Sequence, residues 1–197
     1  MINVFLDCGT HYGEGLRKFI QSHNIDDNWI VRTFEANPEC YITERLSDIK
    51  LMNLEINEKA IWIFDGMIKF SQVDHTRSGS QSPRDGKSNI DDWGSVITEI
   101  NSDQLKSAES PINVECVDFH RILSEYPKEK YKVMVKMDIE GAEFIVLRHI
   151  ILNNSALNIS DLFIEWHHVN LTNEDITTTN KIITELKSLG IKIYNWT

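Results

Sequence analysis

Three carboxylates crowd one turn of this chain. Asp138-Ile139-Glu140-Gly141-Ala142-Glu143 follows the apolar run Val133-Met134-Val135 and precedes a helix-like run from Phe144 to Ile151. Acids at the carboxyl end of a central strand lie where open α/β sheets bind ligands. Holding several of them there costs stability unless something uses them. A later apolar run ends in Glu165-Trp166-His167-His168. Side chains alternate along a strand, so Glu165 and His167 share one side and His168, read as a packing or surface histidine, takes the other. Proton transfer suits Asp138, Glu140, Glu143, Glu165 and His167, because a placed base contributes ~10²–10⁴-fold and an imidazole titrates near neutral pH. The same residues make an oxygen-rich set for Mg²⁺ or Mn²⁺. No spacing is diagnostic of a metal, and none is expected. Bland roles compete: Glu140 and Glu143 suit the first turn of a helix electrostatically, and Lys136 can simply pair with a neighbouring acid.

A second group of residues suits a nucleotide. Val4-Phe5-Leu6-Asp7-Cys8-Gly9-Thr10-His11-Tyr12-Gly13 sets an acid at a strand end, then two glycines four apart before a helix. Glycines let backbone approach a ligand closely, and the helix start offers free N–H groups to an anion. Alone, the run fits a plain strand-to-helix turn equally well. Glu35, within Phe34-Glu35-Ala36-Asn37-Pro38, lies 28 residues beyond Asp7. At the tip of the second predicted strand an acid can accept both hydroxyls of a ribose. NAD enzymes use the same arrangement, so this pair does not choose between cofactors.

The central motif does choose. Lys136, Asp138, Glu140, Gly141 and Glu143, with Glu35 inside F-E-x-N-P and the later Glu165-x-His167, resemble the FkbM-type family of S-adenosylmethionine-dependent methyltransferases. The similarity covers about residues 3 to 168. Departures are Cys8, Thr10, His11 and Tyr12, where the family more often has small or apolar residues. The resemblance implies a Rossmann-like class I methyltransferase: a mainly parallel, twisted sheet with helices on both faces, in a single domain over 1–197. It implies S-adenosyl-L-methionine as cosubstrate. Asp7, Gly9 and Gly13, with Thr10, His11 and Tyr12 in the same loop, would hold the methionyl end. Glu35, with Ala36 and Asn37, would hold the ribose, and Asn57, Glu58, Lys59 and Ala60 would flank the adenine. The implied acceptor is a hydroxyl, most naturally on a sugar of a glycan or glycosylated metabolite. Asp138 then serves as base or acceptor anchor, and His167 as a second base. An NAD(P)-dependent oxidoreductase and a non-catalytic interaction module on the same fold are the rivals.

These side chains need strands to carry them. Apolar runs alternating with amphipathic segments predict βαβ units and a parallel sheet. Strands are expected at about 3–8, 30–35, 51–56, 114–117, 132–138, 161–166 and 191–196. Residues 60–73 read as two short strands turning at Asp65-Gly66, a hairpin signal. Helices are expected at about 13–23, 38–48 with Asn37 as cap and Pro38 in the first turn, 118–126, 141–152 and 173–188, the last ended by Gly190. Residues 74–95 read as a long loop, either a lid over the acceptor or disordered. A full methyltransferase sheet has one further antiparallel strand; here that edge is absent or supplied by a partner domain or oligomer.

The whole composition narrows the setting. At 197 residues, 41% hydrophobic and 25% charged, the chain matches an ordinary globular domain that buries roughly 70% of its unfolded surface. No apolar run approaches the ~20 residues of a membrane span, and the first strand starts too early for a signal peptide. Cys8, Cys40 and Cys116 are odd in number and widely spaced, as expected of free thiols in the cytoplasm. The sequons at Asn153, Asn158 and Asn170 are then chance matches. A formal charge of −10 repels phosphate backbones, which disfavours nucleic acid and suits a neutral, hydroxyl-bearing acceptor.

Overall fold

The computed structural model describes residues 1–74, 93–97, 111–167 and 173–196. Along the chain come β1 (Ile2–Cys8), α1 (Glu14–Ser22), β2 (Ile30–Phe34), α2 (Ile42–Arg45), β3 (Leu54–Asn57), β4 (Ala60–Trp62), β5 (Gly66–Asp74) and β6 (Trp93–Ile97). Then follow β7 (Ile112–Asp118), α3 (Phe119–Ser124), β8 (Tyr131–Met137), α4 (Glu143–Leu152), β9 (Ile159–Ile164), α5 (Asn173–Ser188) and β10 (Lys192–Asn195). Six strands form the main sheet in the order β10-β9-β8-β1-β2-β3. Every pairing in it is parallel. A second sheet runs β4-β7-β5-β6.

Strand alternation builds a core on each face. Val4, Leu6 and Cys8 of β1 and Val133, Val135 and Met137 of β8 join Phe119 and Ile122 of α3, Val146 and Leu147 of α4 and Leu186 of α5. Phe5 and Met134 point the other way, toward Leu16 and Phe19 of α1 and Ile42 of α2. Each such fully buried side chain contributes ~1.5–3 kcal/mol. Asp7 and Lys136 fall two residues beyond Phe5 and Met134, so they belong to the α1 face. Gly15 of α1 agrees: a Cβ there would lie 3.5 Å from Lys136 Cε.

The expected strands and helices of the main sheet are present, with differences at their ends. The helix expected at 38–48 is instead a 3-10 turn, Pro38–Cys40, followed by the one-turn α2. Tyr41 between them has φ 45°, a left-handed conformation that no helix interior admits. Asn37 does cap the turn, accepting from Glu39 N at 3.0 Å. The hairpin expected over 60–73 does not form. β7 lies between β4 and β5, and its Cys116 is registered with both Ala60 and Gly66. Asp65 serves that arrangement, accepting from Asp118 N and from Arg121. Most of the expected 74–95 loop lies outside the described residues, and 93–95 belong to β6. β10 pairs in parallel with β9 at the sheet's edge. Among the described residues no helix is long and apolar enough to cross a membrane. The three cysteines are free and buried.

Candidate active site

The parallel register delivers the chemistry-bearing residues in one row. Cys8 is paired with Phe34 and with Met137, Phe34 with Asn57, and Met137 with Ile164. The ladder then runs one step further. Gly9 N donates to Phe34 O, Glu35 N to Asn57 O, Asp138 N to Cys8 O and Glu165 N to Met137 O, all at 2.9–3.0 Å. Asp7, Glu35, Asn57, Asp138 and Glu165 therefore cluster at the carboxyl ends of five adjacent strands. The strand order reverses between β1 and β8, where open α/β sheets place their ligand crevice.

On the β1–β2–β3 side the groups are buried and partly unused. Asp7 has no exposed surface and no hydrogen-bond donor on either oxygen among the described residues. Its neighbour is Lys136, whose Nζ lies 3.5 Å away in an ion pair. Burial raises the Asp7 pKa, and the charge of Lys136 only partly offsets this. Glu35 accepts from His11 N and Asn37 N, one on each oxygen, both at 2.7 Å. A carboxylate oxygen has two lone pairs, so one stays open on each. Burial raises the Glu35 pKa against those two hydrogen bonds. Asn57 Nδ2 is buried without a hydrogen-bond partner among the described residues.

The rest of the expected nucleotide set has structural duties. Thr10 donates to Asp7 O at 3.1 Å, and His11 packs on Tyr12 with ring centroids 3.9 Å apart. Gly9 has φ 79°, and a Cβ there would sit 1.7 Å from Asp138 O. Its first role is to let β1 and β8 loops touch, not to admit a ligand. Gly13 takes the cap position of α1 in a left-handed conformation. Glu58 is engaged by Thr43 at 2.7 Å, Lys59 by Glu115 at 2.7 Å, and Ala60 is buried within β4. Of the four residues 57–60, Asn57 alone offers a buried polar atom without a hydrogen-bond partner among the described residues.

On the β8–β9 side the acids surround one histidine. His167 Nδ1 lies 3.0 Å from Glu143 Oε1. Its Nε2 faces Glu140 Oε2 at 3.6 Å, Asp138 Oδ1 at 3.9 Å and Glu165 Oε1 at 3.9 Å. Burial lowers the imidazole pKa, but the Glu143 hydrogen bond and the charges of Glu140, Glu143 and Asp138 outweigh it and push it to about 9. The surrounding acids thus favour the protonated imidazole, which works against the role of base expected of His167. Burial, opposed by His167 and reinforced by Asp138, lifts Glu140 to about 7. Burial also raises Glu165. Glu140 itself has φ 55°, a strained conformation for a residue with a Cβ, of the kind that clusters at functional sites.

Glu143, expected among the catalytic acids, has no exposed surface. It accepts from Ile139 N at 2.8 Å and Gly141 N at 2.9 Å. It closes its own loop and orients His167. Lys136 is the ion-pair partner expected of it, with two acids rather than one, and it occupies the centre. Nearly buried, it reaches Asp7, lies 3.2 Å from Asp138 Oδ2 and donates to Gly9 O. Burial lowers its pKa, and Asp7 and Asp138 more than restore it. A lysine inside an otherwise apolar strand was the available signal. His168 lies outside the described residues.

A parallel sheet of this order, with helices on both faces and acids gathered at its reversal point, has the architecture of a Rossmann-like methyltransferase. The methyltransferase FkbM domain matches residues 7–193, nearly the whole chain. The protein belongs to that methyltransferase family. No curated protein and no solved structure matches it.

Proposed function

We propose that this protein is an S-adenosyl-L-methionine-dependent O-methyltransferase acting on a hydroxyl, most naturally of a sugar in a glycan or glycosylated metabolite. Asp7 carries the reading: a wholly buried carboxylate with no hydrogen bond on either oxygen among the described residues and with Lys136 standing off at 3.5 Å, beside a ribose-type acid, suits a cationic group. The residues fit the cosubstrate. Its ammonium would give Asp7 the missing donor, its ribose hydroxyls would use the open lone pairs of Glu35, and Asn57 Nδ2 would meet an acceptor of the adenine. When bound, the cosubstrate supplies a sulfonium methyl group to an oxygen nucleophile.

The chain's own part is orientation and proton handling. Good alignment is worth ~7–11 kcal/mol in such reactions. Lys136 joins the two halves of the site by pairing with Asp7 on one side and Asp138 on the other. Asp138 is thereby held in place to anchor the acceptor hydroxyl, with His167 and Glu165 lining the same cleft. The sugar rests on the family resemblance; the net charge of −10 fits an uncharged acceptor.

The test is calorimetric titration with S-adenosylhomocysteine and, separately, with NAD⁺, followed by mass spectrometry of glycans incubated with protein and cosubstrate. Binding of S-adenosylhomocysteine with a 14 Da gain on a glycan is the expected result. Binding of NAD⁺ instead would convert the assignment to an oxidoreductase, and binding of neither would leave an interaction module.

A further inference from the structure

We propose that Asp138, Glu140 and His167 form a binding site for one divalent cation of the Mg²⁺ or Mn²⁺ class, set beside the nucleotide site. One oxygen from each acid and a ring nitrogen of the histidine lie within 4.8 Å of one another. His167 Nε2 stands 3.6–3.9 Å from its three carboxylate neighbours. That is too far for hydrogen bonds. Neighbouring ligands around an octahedral ion bound at ~2.1 Å stand ~3.0 Å apart, so each pair would close by less than an ångström around one.

The histidine is prepared for ligation independently of those three acids. Its Nδ1 is fixed by Glu143, a fully buried carboxylate that is itself held by two backbone amides. Metal-binding histidines are almost always oriented through the second nitrogen in this way, which fixes the tautomer and turns the other nitrogen to the ion. Charge points the same way. Asp138, Glu140, Glu143 and Glu165 converge here against Lys136, which is shared with Asp7, and the imidazolium of His167, whose proton an ion would displace. Four carboxylates facing those two charges still repel unless protonated or bridged by a cation. Two acids and an imidazole, mainly oxygen donors, favour Mg²⁺ or Mn²⁺ over thiolate-seeking metals. The sequence does not announce the site because its ligands come from two strand tips, Glu140 and His167 being 27 residues apart.

The ion's use, to hold and polarise the acceptor hydroxyl, rests on the function proposed above; its binding does not. The test is titration of the metal-stripped full chain with Mn²⁺ at pH 8, where fewer protons compete for the ligands, read by calorimetry and electron paramagnetic resonance. One Mn²⁺ per chain is expected. Asp138→Asn, Glu140→Gln and His167→Ala should each weaken it tenfold or more, while Glu115→Gln, remote from the cluster, leaves it unchanged. Glu140 is a partly exposed turn residue, so its variant keeps the test sound if another misfolds. No stoichiometric Mn²⁺ uptake, or uptake that survives all three substitutions, overturns the proposal. S-adenosylhomocysteine affinity on the same samples separates failure of this site from failure of the methyltransferase reading.

Discussion

Glu35 accepts a backbone hydrogen bond on each oxygen, so truncating it acts twice. Glu35→Ala should lower S-adenosylhomocysteine affinity at least tenfold, since hydrogen bonds to a charged group are worth ~1.5–3 kcal/mol. It should also cost stability, because the His11 and Asn37 amides lose their acceptor at ~1–3 kcal/mol for each unpaired group. Calorimetry and urea unfolding read the two losses separately; full stability with lost affinity would mean that solvent replaces the carboxylate. Asp7 is expected to behave differently. Burial lifts its pKa above the unfolded value. The folded state then binds the proton more tightly, so this group's contribution is full below the unfolded pKa and is lost as pH rises through the folded one. Asp7→Asn removes that titration. The stability of the variant relative to the parent should therefore improve as pH rises across the window, while cosubstrate affinity falls. Denaturant midpoints at a series of pH values check it, and a flat or falling difference would show Lys136 to be the stronger influence.

At the scale of elements, the loops after β1 and β8 are built against each other. Gly9→Ala would place a Cβ 1.7 Å from Asp138 O, at φ 79°. The contact is with backbone and cannot be relieved by a rotamer. The variant should lose well over ~1 kcal/mol of stability and displace Asp138, so that activity falls even in whatever fraction folds; unfolding curves and turnover at saturating cosubstrate measure both. Such contacts also explain what could be read beforehand. β1, β8 and α5 were legible because apolar alternation and a capping glycine are local signals. The tip acids Asp7, Glu35 and Asp138 were legible as the polar ends of those runs. The orientation of Glu143 was not, because an acid in a first helical turn carries the same pattern whether it faces water or a histidine. Lys136 was read as an ion-pair partner, but its bridge between Asp7 and Asp138 depends on the β1–β8 register. The helix expected over 38–48 failed at Tyr41, whose left-handed backbone leaves no mark in the residue pattern.

Across the whole molecule, the main sheet presents its row of acids at the carboxyl ends of its strands, while buried residues of the second sheet join the core on one face. A ligand gripping that row should stabilise the entire fold. At a hundredfold excess over its dissociation constant, S-adenosylhomocysteine would add ~2.7 kcal/mol, or roughly 5–11 °C in melting temperature at this chain length. Scanning calorimetry with and without it is the measurement, and an unchanged midpoint at that excess would place binding outside the cooperative unit.

The placement of β7 between β4 and β5 has a consequence in time. Gly66 pairs with Cys116, 50 residues later in the chain, and Ala60 waits for the same residue. A hairpin at Asp65 would have closed within microseconds, but β4 has no earlier partner among the described strands, and β5 has only β6, across Phe70 to Asp74. A nascent chain emerging at ~5–20 residues per second leaves β4 and the β7-facing edge of β5 unpaired for several seconds, with Ile61, Trp62, Ile68 and Phe70, all later buried, still in reach of other chains. Refolding followed by pulsed hydrogen exchange should show the amides of β4 gaining protection together with β7 and never ahead of it. The step most exposed to aggregation is thus the late arrival of a single strand.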